Sequence, residues 1–390
     1  MNWEQKIKEL YNKVVERIPE SVRPIIKPAL AEAAKEKCTE RNGTEISEVD
    51  LVVALFEVTP PAFQPTMIED LKKLGVDYDR YLAKVKGDFK CNNDLEIMVE
   101  DTLKLCKIAG INGNKPAIWK VINVYEPFFR GSSISIRTTT KPIEKRDVSV
   151  RYVELMHPHK PDAYSTAINE GLIENNGHII HDAIKEVINK FQIMGYGIDL
   201  DARKGLSKIW PFVVPGSLDP IFDLENYPES VKNYKAYFDK HKLNIFSLFA
   251  FDFCHYTTNI YIMLKNPSAN SLDVSKKLVS DLGFSLPSDK VMESCAKAAH
   301  LNYTFNWDDE KVQRLCFGVT CQKSQEVPTD LHPLINKFIE KSPFQSEIHK
   351  FIYGVTFTPD DIYYKIENDY NGTMVDFLLM GAQAGINSYK

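Results

Sequence analysis

Val148-Ser149-Val150-Arg151-Tyr152 alternates three oily residues with a hydroxyl and a cation. In a strand, successive side chains leave opposite faces, so this stretch has one apolar face and one polar face. The same two-residue beat recurs downstream. Ile260, Ile262 and Leu264 alternate with Asn259, Tyr261 and Met263; Leu315, Phe317 and Val319 with Arg314, Cys316 and Gly318; Tyr364 and Ile366 with Lys365 and Glu367. Working outward, strand text covers 132–140, 147–155, 194–200, 205–214, 243–253, 258–265, 300–307, 312–322, 351–358 and 362–367. These segments pair into hairpins starting near residues 134, 194, 244, 300 and 351. Helical periodicity fills the intervals at 95–108, 117–129, 163–172, 179–191, 230–240, 274–282, 290–299 and 333–340, and a last helix is expected at 374–382. A recurrence of roughly fifty to sixty residues marks an internal structural repeat. Ten consecutive antiparallel strands are more than a twisted open sheet carries before it closes. The expected fold is therefore α+β: a ten-stranded antiparallel β-barrel of αββα repeats, with helices against the oily outer face and a polar lumen.

The first ninety residues read as a separate, small all-α domain, residues 1–90, ahead of a barrel domain at 94–390. Helices are expected at 24–37, 48–58 and 67–74, with Ser47 as the N-cap of the second. Pro60-Pro61 and Pro65 break the chain, and the polar stretch 86–93 reads as a linker. Across the 390 residues, 48 Lys+Arg stand against 53 Asp+Glu, a net charge of −5. That balance speaks against a nucleic-acid surface or a polybasic membrane anchor. Apolar runs such as 51–56 are far shorter than the ~18 residues of a membrane span. Seven scattered Cys without a Cys-x-x-Cys pair suit the reduced thiols of a cytoplasmic protein.

The polar strand faces contribute Arg137, Arg151, Lys208, His255, Asn259, Arg314 and Lys365. Carboxylates on the same faces look few, chiefly Glu367 and Asp147. Cations gathered in a partly dry cavity need an anion, and a diphosphate fits. No Gly-rich phosphate loop is present. Asp308-Asp309 and Asp360-Asp361 lack the spacing that holds magnesium diphosphate, and read as hairpin turns. His157, His159, His178 and His181 lack partners at metal-ligand spacing and read as surface or capping histidines.

From Asp94 onward the chain resembles the soluble aromatic prenyltransferases of the αββα (ABBA) barrel fold, the PT barrel. The likeness is carried by Arg137-Thr138-Thr139-Thr140 through Val148–Tyr152, Asp162-Ala163-Tyr164, Glu170-Gly171-Leu172 and Lys208-Ile209-Trp210. It continues through Asn259-Ile260-Tyr261, Asn306-Trp307, Gln313–Phe317, Tyr353-Gly354-Val355-Thr356 and Tyr363-Tyr364-Lys365. The resemblance implies transfer of an allylic group from a prenyl diphosphate, dimethylallyl or geranyl, to an electron-rich aromatic small molecule. It makes Arg137, Arg151, Lys208, Asn259, Arg314 and Lys365 diphosphate ligands, with His255 standing where some members have a lysine. Trp210 and Tyr261 would wall the allylic pocket, and Ser149, Ser247, His300 and Gly318 would line the acceptor side. Glu367 would orient the acceptor or take its proton, with His300 as a rival base; Lys365 and Arg314 would stabilise the leaving group. Ser149 replaces the metal-binding Asp of magnesium-dependent members, which implies the metal-independent, aminocoumarin-pathway branch and no cofactor. Residues Ile18-Pro19, Val22-Arg23-Pro24, Glu32, Ala33, Glu45-Ile46 and Val49 resemble the small helical domain of a light-independent protochlorophyllide reductase subunit. The alternative function is a non-catalytic barrel that binds an anionic aromatic metabolite.

Overall fold

The computed structural model describes residues 2–20, 22–40, 44–59, 63–76, 92–155, 161–264, 271–346, 348–376 and 378. The chain divides into two compact units, residues 1–90 with 383–390 and residues 91–382. The proline break at 60–61, the expected linker apart from 92 and 93, His157, His159, and all but 374–376 and 378 of the expected last helix lie outside the described residues.

In the first unit, helices Gln5–Arg17, Arg23–Glu40, Glu48–Val58 and Gln64–Lys73 gather Leu30, Ala34, Leu51, Val52 and Leu55 into a core of their own. Ser47 opens the third helix, and its backbone N–H donates to Asp50 Oδ2 at 2.8 Å. Pro65 starts the fourth helix instead of breaking the chain before it, because the first turn has no intrahelical use for its missing N–H. A two-residue parallel pairing, β1 (Asn2–Trp3) with β2 (Glu45–Ile46), accompanies the helices.

The second unit is built on ten strands: β3 (Ser133–Thr139), β4 (Val148–Leu155), β5 (Ile193–Asp201), β6 (Gly205–Ser217), β7 (Ile245–Asp252), β8 (Thr257–Met263), β9 (His300–Asn306), β10 (Arg314–Cys321), β11 (Lys350–Phe357) and β12 (Ile362–Asp369). Each pairs antiparallel with the next, and β12 pairs with β3, so the barrel is closed. Closure leaves no sheet edge and joins the first and last hairpins. The oily faces point outward as the alternation predicts. Ile134, Ile136, Val150, Tyr152, Phe317 and Ile366 share one core with Met98, Val99, Ile118, Val187 and Phe338 of the surrounding helices. Tyr152 is fully buried, with its ring edge-on to Phe129 at 4.8 Å and stacked on Phe128 at 5.8 Å. Each such side chain contributes about 1.5–3 kcal/mol by leaving water. The helix expected at 117–129 is two helices, Lys115–Val124 and Glu126–Gly131. Pro127 lacks the N–H a continuous helix would use.

Candidate active site

Strand register lines the inward-facing residues into rows around the barrel. One row runs Ser135–Arg151–Asp199–Lys208–Asp252–Thr257 across β3 to β8. It alternates charge, and its members bond: Arg151 to Asp199 at 3.3 Å and Lys208 Nζ to Asp252 at 3.0 Å. The next row is Glu367–Arg137–Ser149–Asp201. Here Arg137 donates to Asp147 at 2.6 Å and twice to Ser149 Oγ, at 3.1 and 2.9 Å. Arg151 bridges the two rows by donating to Glu367 at 3.0 Å, and Ser135 Oγ donates to the other Glu367 oxygen. Two further rows are Tyr261–Asn302–Cys316–Thr356–Tyr363 and Met263–His300–Gly318–Gly354–Lys365–Thr139.

The expectation that inner faces carry few carboxylates is corrected. Asp199 and Asp252, both almost fully buried, join Asp147 and Glu367. Their signal was present, since Asp199 alternates with Ile198 and Leu200, and Asp252 follows the outward Phe251. Three cations near the polar strand faces make no ion pair among the described residues. Arg314 reaches only Thr257 Oγ1, at 3.5 Å. Lys141, which sequence reading did not single out, lies 4.6 Å from the Tyr363 ring centroid. Lys365 has no ion pair, and burial beside Arg137, Lys208 and Arg314 pushes its ammonium down to about 8. For Asp147, burial favours the neutral acid, but Arg137, Lys141 and Lys208 outweigh it and hold the carboxyl at about 2.

The two rings that the resemblance makes walls of the allylic pocket lie close together. Trp210 and Tyr261 rings lie 5.9 Å apart, Tyr261 lies 6.0 Å from His300, and the Arg151 guanidinium stands 4.4 Å over Trp210. His300 lies across Gly318: a Cβ there would meet Nε2 at 2.2 Å. Burial, helped by Lys365 and Arg151, pushes the His300 imidazole down to about 4, so it is neutral at pH 7. Asn259 faces inward in the row Asn259–Thr304–Arg314, with its side-chain oxygen buried and unpartnered. His255 stands apart, exposed at the β7–β8 turn, with Nδ1 3.1 Å from the Asp252 carboxylate that also holds Lys208. Ser247 is half-buried at the β6-to-β8 irregularity, where the register of β7 slips between Phe246 and Leu248. His178 Nδ1 accepts from the Ile180 N–H, and His181 is buried against the Tyr164 hydroxyl.

A closed ten-stranded barrel with helices outside and a cation-rich, aromatic-walled interior defines the PT-barrel class of prenyltransferase. The chain belongs to the aromatic prenyltransferase Orf2 family, whose sequence profile matches residues 93–382. It is an enzyme that transfers a prenyl group to an aromatic acceptor. Among its relatives is the 5,10-dihydrophenazine-1-carboxylate 9-dimethylallyltransferase of Streptomyces anulatus, 27% identical over 278 residues, covering 70% of this chain and 91% of the relative. The flaviolin linalyltransferase of Streptomyces virginiae is 23% identical over 257 residues, covering 65% and 84%. The furaquinocin biosynthesis prenyltransferase of Streptomyces sp. (strain KO-3988) is 22% identical over 279 residues, covering 70% and 90%. Among the described residues no helix is long and apolar enough to cross a membrane.

Proposed function

We propose that this enzyme ionises dimethylallyl or geranyl diphosphate inside the barrel without a metal ion, and lets an electron-rich aromatic ring capture the allylic cation. One observation carries this reading: Lys365, Arg314 and Lys141 make no ion pair among the described residues, and burial beside other cations lowers the Lys365 ammonium to about 8. A diphosphate supplies the missing negative charge. Arg137, Arg151 and Lys208, though paired, add to the field, and Asn259 lies in the same row as Arg314, across Thr304. As the bond between the allylic carbon and oxygen breaks, its electron pair goes to the diphosphate oxygen, where preorganised cations stabilise it best. A ring carbon of the acceptor then bonds to the allylic carbon, and the proton lost from that ring carbon passes to Glu367 or solvent. Trp210 and Tyr261 present ring faces that attract the cation by ~0.5–2 kcal/mol each and keep water away.

The metal-free version is supported by Arg137. Its guanidinium donates both to Ser149 Oγ, where the resemblance puts the metal-binding Asp of magnesium-dependent members, and to Asp147. The engagement of Ser149 and Asp147 by Arg137 is the support for the metal-independent reading, the one that goes with the aminocoumarin-pathway branch. His255, on its exposed turn, would act through Asp252 on Lys208. The six described cysteines are unbridged, in keeping with a cytoplasmic enzyme.

Binding of dimethylallyl diphosphate in the absence of acceptor tests the clamp. A cation whose folded value is lowered to about 8 loses its proton as pH rises through 8, far earlier than an ordinary lysine. Calorimetric affinity for the diphosphate is expected to be full below about pH 7 and to fall between about pH 8 and 10. In Lys365→Met it is about tenfold or more weaker below pH 7 and no longer declines over that window. A wild-type affinity flat from pH 7 to 10 contradicts the role given to Lys365.

A further inference from the structure

The turn between β7 and β8 touches a proposed diphosphate cation at each of its ends. Asp252, where it starts, is 3% exposed, and its Oδ2 holds Lys208 Nζ at 3.0 Å. Thr257, where it finishes, accepts at Oγ1 the 3.5 Å contact from Arg314. The same Asp252 carboxylate also shapes the turn. Oδ1 accepts from the backbone N–H groups of Cys254 and His255, each at 3.0 Å, and His255 Nδ1 lies 3.1 Å from both oxygens. Burial favours the neutral acid, but Lys208 and His255 outweigh it and hold the carboxyl well below its usual range. One buried charge is therefore divided between an inward-facing cation and the backbone of the turn.

Tyr256, in the same turn, has φ 49°, the left-handed region where a bulky side chain is an outlier. Its side chain is strapped to the segment 176–180. The hydroxyl accepts from Asn176 Nδ2 at 2.5 Å, and the ring stacks on His178 with centroids 4.2 Å apart. His178 also stands edge-on to Trp307 at 5.4 Å. Asn176 and His178 hold backbone in their turn. Asn176 Oδ1 accepts from the His178 N–H at 3.2 Å, and His178 Nδ1 from the Ile180 N–H at 3.1 Å. Asn176 is exposed and the three rings are half-buried, so the stack gains about as much as the left-handed backbone costs. Two arrangements so nearly balanced can be switched by a small bias.

We infer that this turn is a strap coupled to the diphosphate site, with Asp252 as the positioning residue that carries the coupling. The inference rests on the diphosphate reading given above and adds a moving part to that site. An anion that shares Lys208 weakens its bond to Asp252, and one that draws in Arg314 takes it from Thr257. Both ends of the turn then lose an anchor, the Tyr256 backbone relaxes, and the ring leaves His178 and Asn176. A ligand shifts a conformation only through a contact that differs between the two states. Here that contact is the Lys208–Asp252 bond, whole without the anion and shared with it.

The test follows backbone amide exchange by mass spectrometry, with calorimetry alongside, as dimethylallyl diphosphate is added without acceptor. In the wild-type enzyme, exchange at the His178 and Ile180 amides is expected to rise about threefold or more at saturation. The Cys254 and His255 amides, still held by Asp252, are not expected to speed up. Asp252→Asn keeps an acceptor for the turn but removes the charge beside Lys208. It is expected to bind the diphosphate about threefold more tightly or better, with no exchange response at His178 and Ile180. Tyr256→Gly takes the positive φ without strain and is expected to show the faster exchange before any diphosphate is added. Wild-type binding with no change at His178 and Ile180, or an Asp252→Asn enzyme that responds like wild type, overturns the coupling and leaves the diphosphate reading standing. Absence of calorimetric binding by the wild-type enzyme contradicts the diphosphate reading itself, and the coupling falls with it.

Discussion

Gly318 contributes no side chain, and the His300 imidazole occupies the space directly above it. A methyl group at that position would stand 2.2 Å from Nε2, so the ring must rotate away. Gly318→Ala is therefore expected to disturb the acceptor side while leaving the diphosphate side alone. Steady-state kinetics should show kcat/KM for a phenol falling about tenfold, with calorimetric affinity for dimethylallyl diphosphate unchanged and a stability loss of about 1–3 kcal/mol. Unchanged acceptor kinetics would contradict the place given to His300. Residues of this kind were partly legible. The cations and the rings stand on the inner faces where two-residue alternation puts them, as does Gly318, whereas His300 entered only through family resemblance. Asp199 and Asp252 were as legible as Arg151 by the same alternation, yet their role depends on pairing. Arg151 meets Asp199 48 residues along the chain and Glu367 216 residues along it. Those separations are fixed by register between strands, which a one-dimensional pattern does not contain.

At the scale of the element, each strand keeps its place because one face is oily and a single-residue slip would turn that face into the lumen. Tyr152 shows how much one outward residue carries: it is fully buried and touches Phe128 and Phe129 on the helix Glu126–Gly131. It also directly follows Ser149-Val150-Arg151, where the polar rows meet. Tyr152→Ala is expected to lower unfolding free energy by about 3–5 kcal/mol in a denaturant titration, because the rigid helix cannot collapse into the vacated space. A loss under 1 kcal/mol would show that β4 is not held by that packing. Strand existence and hairpin order were readable, since period-two text is strong when only one face is buried. Helix breaks at Tyr125 and Tyr234 and the register shifts on β5, β6 and β7 were not. A bulge adds one residue without altering hydrophobic content, so Ser247 reads from sequence like any neighbour of Leu248.

At the scale of the whole molecule, a net charge of −5 conceals an interior of opposite character. Closure of β12 on β3 sets Glu367 opposite Arg137 and Lys365 opposite Thr139, so cations from the first and last hairpins face one volume. The paired ones, Arg137, Arg151 and Lys208, tie the barrel's polar rows together, whereas Lys365, Arg314 and Lys141 make no ion pair among the described residues. Closure was legible from strand number; the division of cations into paired and unpaired was not, because it needs the three-dimensional neighbours of each. The central claim is that these side chains alone carry the leaving group's charge. It is tested by measuring prenylated product from dimethylallyl diphosphate and 1-naphthol, with and without excess EDTA, in the wild-type enzyme and Lys365→Met. The account predicts equal wild-type rates in both conditions and a fall of about a hundredfold or more in the variant, the loss of one preorganised charge. Wild-type turnover that vanishes in EDTA and returns with magnesium would contradict it.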